Sequence, residues 1–200
     1  MSKQLAKPGR KNELKKLHTV IDEFAKSYLP RISVRFTDDL VSKAGGQSDI
    51  HEEIIHLSPK QELNSDAIGL GLSYAYRIGP KYRSMKLKPQ EMYFLTLLHE
   101  IGHFKVREKI PKSYFRIEKE IIGESTSDRL IELSIIESRI KRRSGEKESA
   151  WKLRLADFMS WLTTGETISH HVKVENWAID EFERKRKKIN DLLLEAGLVS

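Results

Sequence analysis

Cysteine is absent from the 200 residues. Disulfide scaffolds, Cys-ligated zinc fingers, iron–sulfur clusters and thiol catalysis are thereby excluded, and any metal site must draw on His, Asp and Glu. Long apolar runs are missing too. A membrane span needs about 20 consecutive apolar residues. The best stretch, Ala67 to Tyr76, has half that length and is interrupted by Gly69 and Gly71. The first ten residues lack the apolar core of a secretory signal. The expectation is a soluble, cytoplasmic protein with no membrane partner. Aromatic residues make up only 8%.

Positive charge is in excess, with a net charge of +7 and a pI near 9.4. Lys3, Lys7, Arg10, Lys11, Lys15 and Lys16 face only Glu13 in the first 16 residues, and further basic runs occupy Arg139–Arg143 and Arg184–Lys188. Such runs can meet nucleic acid or an acidic partner. No aromatic residue is interleaved with them, so solvated helix faces and tails are the plainer reading.

The length suits one domain with its own core. Residues 1–10 read as a flexible basic tail. Residues 11–143 read as the main domain, and 144–200 as a C-terminal helical extension packed on it. From Asn12 to Leu29 the apolar residues follow a helical period, which Pro30 stops. Ile32–Phe36 and Glu53–Leu57 read as strands, with a turn at Gly45 and Gly46. Ala67 to Tyr76 reads as a small-residue helix. A strong helix is expected from Pro89, favoured at the first helical position, to Val106. Others are expected from Tyr114 to Arg142, Glu148 to Leu162 and Val174 to Ala196. His170 and His171 fall in a loop on this reading, and the three tryptophans in the C-terminal core. His18 reads as a helix-surface residue, and His51 and His56 as solvent-facing. The class is α+β, mostly helical, with a small N-terminal mixed sheet.

The chemistry lies in His99-Glu100-Ile101-Gly102-His103, an HExxH sequence. Histidines at i and i+4 share one helix face and can bind one metal ion, with Glu100 beside that face in reach of a water. Chance alone gives the motif in roughly 2 of 100 chains of this composition, so its context matters. It falls inside an expected amphipathic helix. A catalytic zinc also needs a third protein ligand. A metzincin would need Gly at 106 and His at 109, where Val106 and Lys109 stand. Downstream, Glu124 and Asp128 share one face with Ile117, Ile121, Ile131 and Ile135. Unpaired carboxylates on an apolar stripe are costly. Metal ligation by Glu124 and a hydrogen bond from a ligand histidine to Asp128 would satisfy both. Salt bridges to Arg116, Lys119 or Arg129 are the plainer alternative.

HExxH followed after about twenty residues by Glu-x-x-Ser-Asp resembles the gluzincins, the thermolysin-like clan of zinc metallopeptidases. The short chain is nearest in size to the minigluzincins. The resemblance implies one zinc per chain held by His99, His103 and Glu124, general base catalysis by Glu100, and Asp128 orienting His99. It implies a peptide or protein substrate lying along an edge strand, for which Glu53–Leu57 is the candidate. A Tyr or His often stabilises the oxyanion in this clan. Tyr114 stands near the expected place, with His170 and His171 as weaker candidates. Gly123 stands where the clan usually has Asn. Among minigluzincins the C-terminal part can cover the cleft, which implies latency relieved by truncation near Ser144. The rival reading is a basic nucleic-acid-associated protein with a structural or decayed zinc site. The SprT-like proteases combine HExxH with DNA binding, but use a third His in place of Glu124.

Overall fold

The computed structural model describes residues 8–38, 40, 45–59, 85–124 and 133–199. The architecture is α+β and mostly helical, with one three-stranded mixed sheet near the N-terminus. In chain order the described elements are α1 (Pro8–Lys26), β1 (Ser33–Phe36), β2 (Gly46–Asp49), β3 (Ile54–Leu57), α2 (Pro89–Lys105), α3 (Lys112–Glu124), α4 (Leu133–Arg139), α5 (Glu148–Thr164) and α6 (Ile168–Glu195). The small-residue helix expected over Ala67 to Tyr76 lies outside the described residues.

The sheet order is β1-β3-β2. β1 pairs parallel with β3, Val34 opposite Ile55. β2 pairs antiparallel with β3, Ser48 opposite Ile55. β2 was not expected, because its sequence, Gly-Gln-Ser-Asp, has neither β-branched nor aromatic residues. Asp49 closes the β2–β3 turn by accepting the His51 and Glu52 amides, both at 3.0 Å. β3 is therefore the central strand. The expectation that Glu53–Leu57 forms a free edge is corrected: both sides of β3 are already hydrogen-bonded.

Two apolar clusters organise the helices. The first joins α1, β1, β3, α2 and α6 through Ile21, Phe24, Ile55, Phe94, Leu98, Ile101, Ile179, Phe182 and Ile189. The second joins α3, α4 and α5 through Tyr114, Ile121, Ile136, Phe158 and Trp161. α6 thus contributes to the same core as α2, across the boundary expected near residue 143. It also begins six residues earlier than its apolar period suggested. Gly165 ends α5 in the left-handed region (φ 80°), and Thr167 caps α6 by accepting the His170 amide at 3.0 Å. That cap draws His170 and His171 out of the expected loop and into the first turn of a helix.

Candidate metal centre

α2 places His99 and His103 one turn apart, with their Nε2 atoms 3.2 Å from each other. Each ring is held from behind by a carboxylate. His99 Nδ1 bonds the buried Glu175 Oε2. His103 Nδ1 donates to Glu166 Oε1 at 2.9 Å. With Nδ1–H occupied in this way, the lone pair sits on Nε2, where the two histidines converge. Ligand histidines usually have this arrangement.

A third imidazole closes the group. The ring of His171 lies 4.8 Å from that of His103 and 5.6 Å from that of His99. One ring nitrogen from each of His99, His103 and His171 falls within 4.8 Å of the others, a grouping able to hold a metal ion. A tetrahedral ion with Zn–N near 2.0–2.1 Å spaces its ligand nitrogens roughly 3.3 Å apart. The His99–His103 separation matches that spacing. Glu166 also reaches His171 Nδ1 at 3.1 Å and so braces two of the three rings. His103, Glu166 and the buried His170 form a second, overlapping group.

The electrostatics suit cation binding. Burial, followed by the neighbouring His103 and His171, drives His99 well below the ordinary histidine value, so it is neutral with its lone pair free. Burial also pulls His103 down, but the Glu166 hydrogen bond and the Glu100 charge outweigh it and raise the value. Glu166 is held far below the usual carboxylate range: burial opposes this, and hydrogen bonds from His103 and His171 overcome it. Burial lifts Glu100 to about 7, against the charge of His103 and hydrogen bonds from the Ser48 side chain and backbone.

Two glycines let the flanking elements approach. A Cβ on Gly102 would lie 2.8 Å from Val174 Cγ1 and 3.2 Å from the Trp177 ring. The absence of that carbon brings α6, with His171 and Glu175, against the histidine face of α2. A Cβ on Gly46 would lie 2.9 Å from Glu100 Cγ and Oε1. β2 therefore meets Glu100 at Ser48. The first turn of α6 is fixed further by Glu108, which accepts the Thr167 amide at 2.9 Å. Asp157 accepts the Ser169 amide at 2.8 Å and its hydroxyl at 2.6 Å.

The structure brings His99, Glu100 and His103 together. Glu124 is the last residue of α3, and its side chain and Asp128 lie outside the described residues. Tyr114 is 5% exposed in the second cluster. Its hydroxyl donates to the Arg154 carbonyl at 3.2 Å and its ring packs on Phe158 and Trp161. Among the described residues no histidine touches its ring or hydroxyl, so it is a packing residue here. His18 is tied to the Val34 carbonyl at 2.7 Å and packs on Phe36, and is not a free surface group. Sequence reasoning missed Glu166, His171 as a potential ligand, and Glu175. A usable signal was present: Gly165 and Thr167 form a stop and a start two residues apart, after which His171 and Glu175 share one face at i and i+4.

Compared with known proteins, the chain matches no family model, and no curated sequence or solved structure matches it.

Proposed function

We propose that the protein is a zinc-dependent hydrolase of peptide bonds, with His99, His103 and His171 as metal ligands and Glu100 as general base and acid. The observation that carries this reading is the convergence of two Nε2 atoms whose Nδ1 partners are carboxylates, with Glu100 beside them. Bound zinc would polarise the scissile carbonyl and acidify a water. Glu100 would take a proton from the attacking water and return it to the leaving amine. A dication held there would favour the ionised form of the Glu100 carboxyl, as a base requires. Glu175 and Glu166 fix the tautomers of His99 and His103. β2, the edge strand nearest Glu100, is the element an extended peptide backbone would pair with. Glu124 from the end of α3 is the competing third ligand.

The test is zinc content and hydrolysis of labelled casein, before and after chelation and zinc return. Wild type should hold about one zinc and cleave casein only when loaded. Glu100→Gln should keep the zinc and lose hydrolysis. His171→Ala should lose most of the zinc, and Glu124→Ala should keep it if His171 is the ligand; the reverse pattern restores Glu124. Full zinc with no cleavage of any unfolded substrate would overturn the hydrolase reading in favour of a structural site in a basic, nucleic-acid-associated protein.

A further inference from the structure

A cavity of about 300 Å³ opens between α1 and α6, lined by Phe24, Ser27, Tyr28, Glu181, Arg184, Lys185 and Lys188. Its volume falls at the small end of the range of about 300–1,000 Å³ found for small-molecule sites. One wall is the end of α1 and the turn after it; the other is one face of α6. Phe24 lies in the last turn of α1, and Ser27 and Tyr28 in the turn that follows it. Glu181, Arg184, Lys185 and Lys188 are spaced i, i+3, i+4, i+7 on α6.

The α1 wall is an apolar floor made of two rings, 5.4 Å apart between centroids. The α6 wall is cationic. Its single acid, Glu181, is 4% exposed and already engaged by the Tyr28 hydroxyl and by Arg184, whose Nε donates at 2.9 Å. Among the described residues Lys185 and Lys188 make no ion pair, whereas Lys187, on another face of the same helix, pairs with Asp191 at 2.9 Å. Of the carbonyls at the C-terminal end of α1, which would repel an anion, those of Phe24 and Ala25 are occupied, as is that of Tyr28 in the turn beyond. Ser27 Oγ donates to the Phe24 carbonyl, the Leu29 amide to Ala25, and Lys105 Nζ to Tyr28. Arg184, Lys185 and Lys188 thus stand against the single carboxylate of Glu181, which leaves the lining cationic beside an aromatic floor.

The geometry points to a binding site for a small organic phosphate, a ligand that joins a phosphate to a flat or apolar body. Lys185 and Lys188 take the phosphate, and the Phe24 and Tyr28 rings take the body. The sequence hid this pairing, because Phe24 and Tyr28 reach the basic run Arg184–Lys188 only across space. The proposal does not depend on the hydrolase reading and holds for the zinc-free chain.

The test is calorimetric titration of the full-length, zinc-free protein with AMP, adenosine and inorganic phosphate at low salt. AMP is expected to saturate at one per chain and to bind at least tenfold more tightly than adenosine or phosphate. Its affinity should fall with added salt and drop tenfold or more in Lys185→Gln/Lys188→Gln. Ser27→Glu, which adds a carboxylate to the opposite wall, should give a similar loss and serves as a second variant should the first fold poorly. No saturation by AMP at millimolar concentration would overturn the proposal, as would affinity unchanged in both variants. Equal binding of phosphate and AMP would overturn the organic body. Tight binding of an oligothymidylate that AMP does not compete would assign the lysines to a nucleic-acid surface instead.

Discussion

Glu91 has no exposed surface, yet it takes hydrogen bonds from four directions. Arg186 donates to it through Nε at 2.8 Å and a terminal nitrogen at 2.9 Å, the Lys88 amide at 2.7 Å, and Asn190 at 3.1 Å. Burial alone would raise its pKa; the Arg186, Lys88 and Asn190 hydrogen bonds outweigh burial and lower it below 4.5. Its contribution is therefore complete above the unfolded value and drains as pH falls through that value toward the lowered folded one. Arg186→Ala should cost roughly 3 kcal/mol at pH 7, because it strands a buried carboxylate. In urea titrations the gap between wild type and variant should narrow steadily below pH 5; a gap independent of pH would contradict the pairing. Tyr114→Phe removes one hydrogen bond, to the Arg154 carbonyl, and should cost about 1 kcal/mol with casein cleavage unchanged. A large loss of activity in a folded Tyr114→Phe variant would return the hydroxyl to the reaction.

At the scale of elements, the contact between α2 and α6 decides whether a centre exists. Gly102→Ala places a methyl 2.8 Å from Val174 Cγ1. Helix propensity favours alanine, but overpacking should prevail, at a cost of roughly 1–3 kcal/mol. Zinc affinity should fall more than stability does, since His171 and Glu175 move away with α6. Thr167→Ala should cost about 1 kcal/mol and loosen the same turn. Equilibrium unfolding combined with zinc competition against a chelator separates the two effects. The helix α2 and its histidine face were legible because period, Pro89 and HExxH agree over 17 residues. The start of α6 was not, because its first turn is polar and rests on Thr167 and on Glu108 and Asp157, both distant in sequence. β2 was hidden for a related reason: its pairing with β3 and its approach to Glu100 depend on a glycine that reads locally as a turn.

For the whole molecule, the expected division near residue 143 has a measurable consequence. α6 supplies Ile168, Ala178, Ile179, Phe182, Ile189 and Leu193 to the cluster that also holds Ile101. A chain ending near Ser144 should fail to fold cooperatively, by circular dichroism and thermal melting, and should not gain hydrolysis. A folded truncation with raised activity would support the latency that the gluzincin resemblance implies. No described helix is long and apolar enough to cross a membrane.

Because His99 and His103 lie some seventy residues ahead of Glu166, His171 and Glu175 in the chain, synthesis makes them in that order. A ribosome that has released α2 but not yet α6 displays two histidines with no carboxylate behind them and no third imidazole from α6. During that interval the α6 half of the grouping does not exist, and a metal ion would meet only the two α2 histidines. Completion of the fold and assembly of the three-histidine grouping become the same event.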